Sequence, residues 1–223
     1  MLKCDIHHYF PETDHEAAKR MVRKYVSDKR ACEAVCDVID SFCGDKGIGL
    51  GSQISQLVEL LVLNDLDHFI KERLHIKYYI RYMDDFILIH EDKEYLKYCR
   101  KEIERMLGEL KLELNGKTMI FPISQGIKFL QWRFVLTGTG KVIMLMNPKK
   151  VKRQKRRMQM VYAKEQFGIA DIGSTEESLR SFLANCKRGN TNRIQESMKR
   201  YYTDLTGDTY HESKIPRKKK RRI

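Results

Sequence analysis

Two adjacent carboxylates, Asp84 and Asp85, stand between two apolar runs of the chain. Neighbouring acids repel each other, so at the end of hydrophobic strands they need a counter-charge. Oxygen-only donors suit a hard divalent cation, magnesium or manganese. A solvated Asp-rich turn is the plain alternative, because Asp is a favoured turn residue. A third acid, Asp5, ends the short apolar start Leu2-Lys3-Cys4-Asp5-Ile6. Three carboxylates on neighbouring strands can bridge a pair of such ions.

The elements around these acids follow from periodicity. Ile76, Tyr78, Ile80 and Tyr82 share one face of a strand, and Lys77, Tyr79 and Arg81 share the other. Phe86 to Ile89 is β-branched and aromatic, so the segment predicts a hairpin with the two acids at its tip. Residues 13–42 read as helical, capped by Thr13 or Asp14, with a second helix from Ala31 to Phe42. Residues 54–74 are apolar nearly all round, which predicts a helix buried against a sheet. Residues 93–111 form an amphipathic helix with Tyr95, Tyr98, Ile103, Met106, Leu107 and Leu110 inward. Strands follow near 118–123, 127–136 and 141–146, the last two joined by a Thr-Gly-Thr-Gly turn at 137–140. Beyond Asn147 the pattern is helical and basic.

Five segments in order carry a resemblance. They are Asp5 with the aromatic pair Tyr9-Phe10, the Gly-rich turn Gly47 to Gln56, Tyr82-Met83-Asp84-Asp85, Leu114-Asn115-Gly116-Lys117-Thr118, and Phe129-Leu130-Gln131-Trp132. Together they resemble the palm of a reverse transcriptase, closest to the bacterial group II intron, retron and diversity-generating types, over residues 1 to about 135. The resemblance implies an α+β fold: a polymerase palm, an antiparallel sheet with helices on one face, at 1–147. A helical, basic thumb-like region at 148–214 and a basic tail at 215–223 complete it. It implies RNA-directed DNA polymerase activity with Mg2+ (or Mn2+) on a DNA primer, an RNA template and deoxynucleoside triphosphates.

The same resemblance assigns roles. Asp5 and Asp84 bridge both ions, Asp85 supports them, and the Ile6 carbonyl is a backbone ligand. His7 and His8 lie against the triphosphate, and Phe10 packs under the sugar. Leu50, Gly51 and Gln56 belong to the nucleotide pocket, where many relatives carry Gln in place of Leu50. Leu50 cannot hydrogen-bond a nucleotide, so relaxed base selection is expected, and Gly49 in place of a common Pro loosens the turn. Lys117 donates a proton to departing pyrophosphate, in a segment one residue shorter than the common form. Tyr82 and Met83 meet the primer end, and Phe129, Leu130, Gln131 and Trp132 grip it, with Gln131 where Gly is usual. The basic residues of Ala184 to Asn190 lie near the duplex backbone.

Charge distribution supports a phosphate-rich partner. The net charge is +13, yet Pro148 to Arg157 holds seven Lys/Arg and Arg217 to Arg222 holds six, with no acid in either. The remaining 30 basic and 30 acidic residues balance, so the excess sits in two tracts. Such tracts attract nucleic-acid backbones by counterion release, and Lys149, Lys150, Lys152 and Arg153 are the leading candidates. The 6 Cys lack paired spacing, although Cys32, Cys36 and Cys43 with His7, His8 and His15 sketch a zinc alternative. No signal peptide is expected, and the longest apolar run is too short for a bilayer, so a cytoplasmic protein with reduced thiols and no membrane partner is expected. In the family a basic fingers segment precedes the first acid, whereas here Asp5 is the fifth residue. The expectation is that a second chain supplies fingers, that the sequence is a fragment of a longer product, or that activity is lost and the chain is a truncated, inactive retroelement fragment that binds nucleic acid.

Overall fold

The computed structural model describes residues 1–49 and 51–211; Leu50 and the 215–223 tail therefore lie outside the described residues. The described chain separates into two compact units, Met1–Pro122 and the part from Ile123 onward.

The first unit is organised by an antiparallel sheet. Strand β1 (Leu2–Asp5) pairs with β3 (Asp85–Ile89), β3 pairs with β2 (Tyr78–Tyr82), and β4 (Met119–Ile120) pairs with β1, giving the order β2-β3-β1-β4. Side chains alternate between faces, and the register sorts them. Leu2, Cys4, Phe86 and Leu88 are fully buried and belong to the main core, against which Tyr79 packs. Lys3, Asp5, Asp85 and Ile87 face the other way, together with Tyr78, Ile80 and Tyr82, which remain 53–59% exposed. The face of β2 that carries Tyr79 and Arg81 is therefore the inward one.

Helices cover the buried face, and their boundaries follow from caps. Helix α1 (Tyr9–Glu12) is a single turn. Asp14 caps α2 (His15–Tyr25) by accepting from the Ala17 N–H at 2.9 Å. Asp28 caps α3 (Lys29–Asp40) through the Ala31 N–H at 2.8 Å, so the second helix starts two residues before the Ala31 start expected from periodicity. The apolar stretch 54–74 is three pieces, not one helix: α4 (Gln53–Val62), α5 (Asn64–His68) and a π turn Phe69–Arg73. The break at Leu63 turns Leu63, Leu66 and Ile70 into the core, while Ile54, Leu57 and Leu60 stay 39–53% exposed. That stretch is thus not buried all round. Helix α6 (Lys93–Glu109) buries Leu96, Cys99, Ile103 and Leu107, while Tyr98 is exposed, contrary to its expected inward place.

In the second unit β5 (Ile127–Phe129), β6 (Trp132–Leu136) and β7 (Val142–Met146) form a meander. The single strand expected at 127–136 is a hairpin, because Leu130 and Gln131 turn the chain with φ of 48° and 69°. Helices α7 (Pro148–Gln166), α8 (Ser174–Cys186) and α9 (Asn192–Thr206) follow. Trp132 and Met146 share one core with Met158, Leu179, Phe182 and Met198. This common core is why the compact units divide at Pro122, ahead of the boundary read near 147. Among the described residues no helix is long and apolar enough to cross a membrane.

The turn between α8 and α9 locks onto the meander. Asn190 donates its N–H to the Met144 carbonyl and accepts from the Met144 N–H, both at 2.9 Å. A Cβ on Gly189 would lie 2.6 Å from the Trp132 ring and 2.8 Å from the Met144 carbonyl oxygen. Gly189→Ala is expected to cost about 1–3 kcal/mol through overpacking, measured as a lower denaturation midpoint of the whole chain; an unchanged midpoint contradicts this packing.

Candidate active site

The acids meet because β1 and β3 are neighbours. Asp5 stands directly opposite Asp85, and Tyr82 stands opposite Asp85 on the far side, so one face gathers Asp5, Asp85 and Tyr82. Asp84 sits in the two-residue turn, after Met83 with a left-handed φ of 55°. The Ile6 N–H donates to the Asp84 carbonyl at 3.2 Å, tying the end of β1 to the turn. Burial raises the carboxyl pKa of Asp84, and the charge of Asp5 pushes the same way. Asp85 is also raised, by burial first, although Lys3 donates to its Oδ2 at 3.0 Å and opposes the shift. The other Asp85 oxygen, Oδ1, is buried without a hydrogen-bond partner. Among the described residues no three His, Cys, Asp or Glu side chains form a ready metal-binding group. The donors themselves suit a hard cation: oxygen-only, crowded and short of positive charge.

The segments around Asp5 converge on it. The Asn115 N–H donates to the Asp5 carbonyl at 2.7 Å, the Glu113 carbonyl accepts from the His7 N–H at 2.9 Å, and the Asp5 N–H donates to Thr118 Oγ1 at 3.4 Å. Lys117 is exposed in the turn between Asn115 and Thr118. His7 and His8 are exposed, their ring centroids 4.1 Å apart, with His8 at φ 41°. Phe10 packs against the main core. The Gly-rich segment docks on this loop: Ile48 donates its N–H to the Phe10 carbonyl and Gly47 to that of Thr13, both at 2.9 Å. A Cβ at position 49 would lie 2.5 Å from the Phe42 ring, so Gly49 accommodates a packed aromatic rather than loosening the turn. Gly51, at φ 106°, and Gln56 are exposed around the start of α4, while Leu50 lies outside the described residues.

The model of the family "Reverse transcriptase (RNA-dependent DNA polymerase)" matches residues 2–134. The chain belongs to this family. Protein YkfC of Escherichia coli (strain K12) is 25% identical, over 60% of this chain and 46% of that protein. The solved telomerase of Candida albicans, in complex with a TWJ fragment of telomeric RNA, shares the fold at a TM-score of 0.51 and 13% identity. That match covers 93% of this chain and 45% of the telomerase chain. The chain thus spans just under half the length of both.

The second unit of this reverse transcriptase chain holds the other candidate residues. Leu130 and Gln131 are exposed at the tip of the β5–β6 hairpin, while Phe129 and Trp132 are buried at its base. Asn147 caps α7 by accepting from the Lys149 N–H at 3.0 Å, with Pro148 in the first turn. Gln131, Asn147, Lys149, Lys150 and Arg153 line a cavity of about 240 Å³. Lys152 is exposed beside Arg153, whereas Lys155 is turned inward over the Tyr201 ring at 4.6 Å. The imagined zinc residues form no metal-binding group among the described residues.

Sequence reasoning passed over Lys3, although it lies two residues from Asp5 on the same strand face and so was visible by alternation. It also passed over Glu59, a fully buried carboxyl on α4 that no local pattern distinguishes. Thr13 Oγ1 lies 2.8 Å from the Tyr9 carbonyl oxygen and 3.0 Å from Glu59 Oε2. The single hydroxyl hydrogen of Thr13 is shared between the Tyr9 carbonyl and Glu59 Oε2, so its donation relieves the buried carboxyl only in part. Glu59 Oε1 has no partner, and the buried carboxyl is pushed up to about 8, by burial first and also by the charge of Asp84.

A raised acid pKa destabilises the folded state as pH climbs from the unfolded value through the folded one. Wild type and Glu59→Gln are therefore expected to have similar denaturation midpoints near pH 4, where both states are protonated. By about pH 8 the Gln variant should be more stable by a few kcal/mol. Equal pH dependence in the two proteins would remove Glu59 from this account.

Proposed function

We propose that this chain is the polymerase palm of an RNA-directed DNA polymerase that extends a DNA primer on an RNA template. The observation that carries the reading is the register of β1 and β3, which sets Asp5 opposite Asp85 beside the turn carrying Asp84. Asp5 and Asp84, with the Ile6 carbonyl, are the proposed magnesium or manganese ligands. A bound ion pair would lower the pKa of the primer 3′-hydroxyl and stabilise the departing pyrophosphate.

The chain's own groups do the rest. Lys3 holds Asp85 through its Oδ2, so Asp85 supports the site at one remove from Asp5 and Asp84. Phe10 sits in α1, which Ile48 and Gly47 grip through the carbonyls of Phe10 and Thr13, a fixed floor for the sugar of an incoming deoxynucleoside triphosphate. His7, His8, Gly51 and Gln56 line the proposed triphosphate side, with Leu50 permitting relaxed base selection. Lys117 is held by its turn beside Asp5, where its ammonium serves as the proton donor to pyrophosphate. Tyr82 and Met83 present the primer end.

In the second unit, Lys149, Lys150, Lys152 and Arg153 crowd the first turns of α7, where the helix dipole is already positive. Cations there weaken the helix, by about 0.3–1 kcal/mol each. Their placement makes physical sense with a phosphate backbone as partner. The hairpin tip Leu130-Gln131, braced by Phe129 and Trp132, is the proposed grip on the primer.

A second reading, a palm that binds nucleic acid without extending it, draws on one observation. Lys3 already neutralises part of the acid cluster, and the described residues hold no ready three-ligand metal group. Primer extension on poly(rA)/oligo(dT) with magnesium or manganese separates the two. The polymerase reading expects extension by the wild type and a loss of at least about 10³-fold in Asp84→Asn. Nucleic-acid binding without extension under both metals decides for the second reading.

A further inference from the structure

Asp84 is fixed from both sides. Its own carbonyl accepts from the Ile6 N–H, which orients the peptide following it. The preceding peptide is held by Arg81, whose Nη1 donates to the Met83 carbonyl at 3.2 Å. Met83 is a non-glycine residue at φ 55°, a conformation that a side chain disfavours. Arg81 is itself immobilised. Its side chain is only 9% exposed, and it makes a two-pronged pair with Asp67 of α5, Nε to Oδ1 at 2.8 Å and Nη2 to Oδ2 at 2.5 Å. The Tyr79 hydroxyl donates to the same Asp67 Oδ1, and Arg81 Nη2 also reaches the Leu60 carbonyl of α4 at 3.3 Å. One guanidinium thus joins two helices, the inner face of β2 and the strained turn.

We propose that Arg81 is a positioning residue for the Asp84 carboxylate: held by Asp67 and Tyr79, it fixes the Met83 carbonyl and through it the direction in which Asp84 points. This rests on the polymerase reading of Asp84, and the mechanical link itself does not. A buried pair kept only for stability is replaceable by apolar residues at little cost. A lysine at this position is a single point donor and cannot hold both the Asp67 fork and the turn.

The test uses the full chain with Asp67→Leu, Tyr79→Phe and Arg81→Leu combined, and Arg81→Lys as a second variant. Backbone NMR order parameters at Met83 and Asp84 are expected to fall from about 0.85 to below about 0.6, with those of β1 and β3 unchanged. In primer extension, kcat should drop about 10- to 100-fold while KM for the deoxynucleotide stays at the wild-type value. If the combined variant does not fold, Arg81→Lys carries the same two readouts. A folded variant with wild-type order at Met83 and Asp84 overturns the proposal. Wild-type protein that extends no primer would overturn the polymerase reading instead, leaving the order parameters to judge Arg81.

Discussion

The ladder between β1 and β3 places like charges against each other, and much of the first unit answers that placement. Asp5 opposite Asp85 is an unfavourable cross-strand pair on its own. The pair is tolerated because the opposite face of the same ladder buries Leu2, Cys4, Phe86 and Leu88 against helices. Burying such side chains is worth about 1.5–3 kcal/mol apiece, enough to outweigh local repulsion. Slipping the register by one residue would relieve the acids only by turning that whole apolar set outward. The core therefore holds the carboxylates together, and Lys3 offsets part of their charge.

The same logic explains what the sequence revealed. Alternation exposed the hairpin, and the order of the five segments revealed the family, because both are local or ordered signals. Alternation alone did not say which face of β2 is inward. Arg81 and Tyr79 occupy the buried face only because Asp67, distant in sequence, is there to receive them. The apolar run at 54–74 looked like one buried helix because periodicity cannot register a break that needs Leu63, Leu66 and Ile70 to share one core. The strand at 127–136 looked continuous because Leu130 and Gln131 are unusual residues for a tight turn. Glu59 and the separation of the units depend on packing between distant segments, which no window of sequence contains.

Those unusual turns share a feature. Among the described residues, His8, His75, Met83, Lys111, Leu130 and Gln131 adopt left-handed φ without being glycine. Each costs of order 1 kcal/mol, and glycine would remove the cost if only the bend mattered. A side chain kept at such a place argues for what the side chain meets. His8 follows Asp5 on the loop after β1, Met83 precedes Asp84, and Leu130 with Gln131 forms the tip of a hairpin whose base is buried. The turn at Asn115-Gly116-Lys117-Thr118 shows the contrast: it bonds the Asp5 backbone through Asn115 and Thr118, with no left-handed side chain. Lys111, just past the end of α6, pairs with the α2 cap Asp14 at 2.6 Å, so a left-handed side chain also serves a structural contact. What sets Met83 apart is its anchor: its carbonyl is held by the buried Arg81, whose loss should therefore alter the direction of Asp84 before it alters the fold.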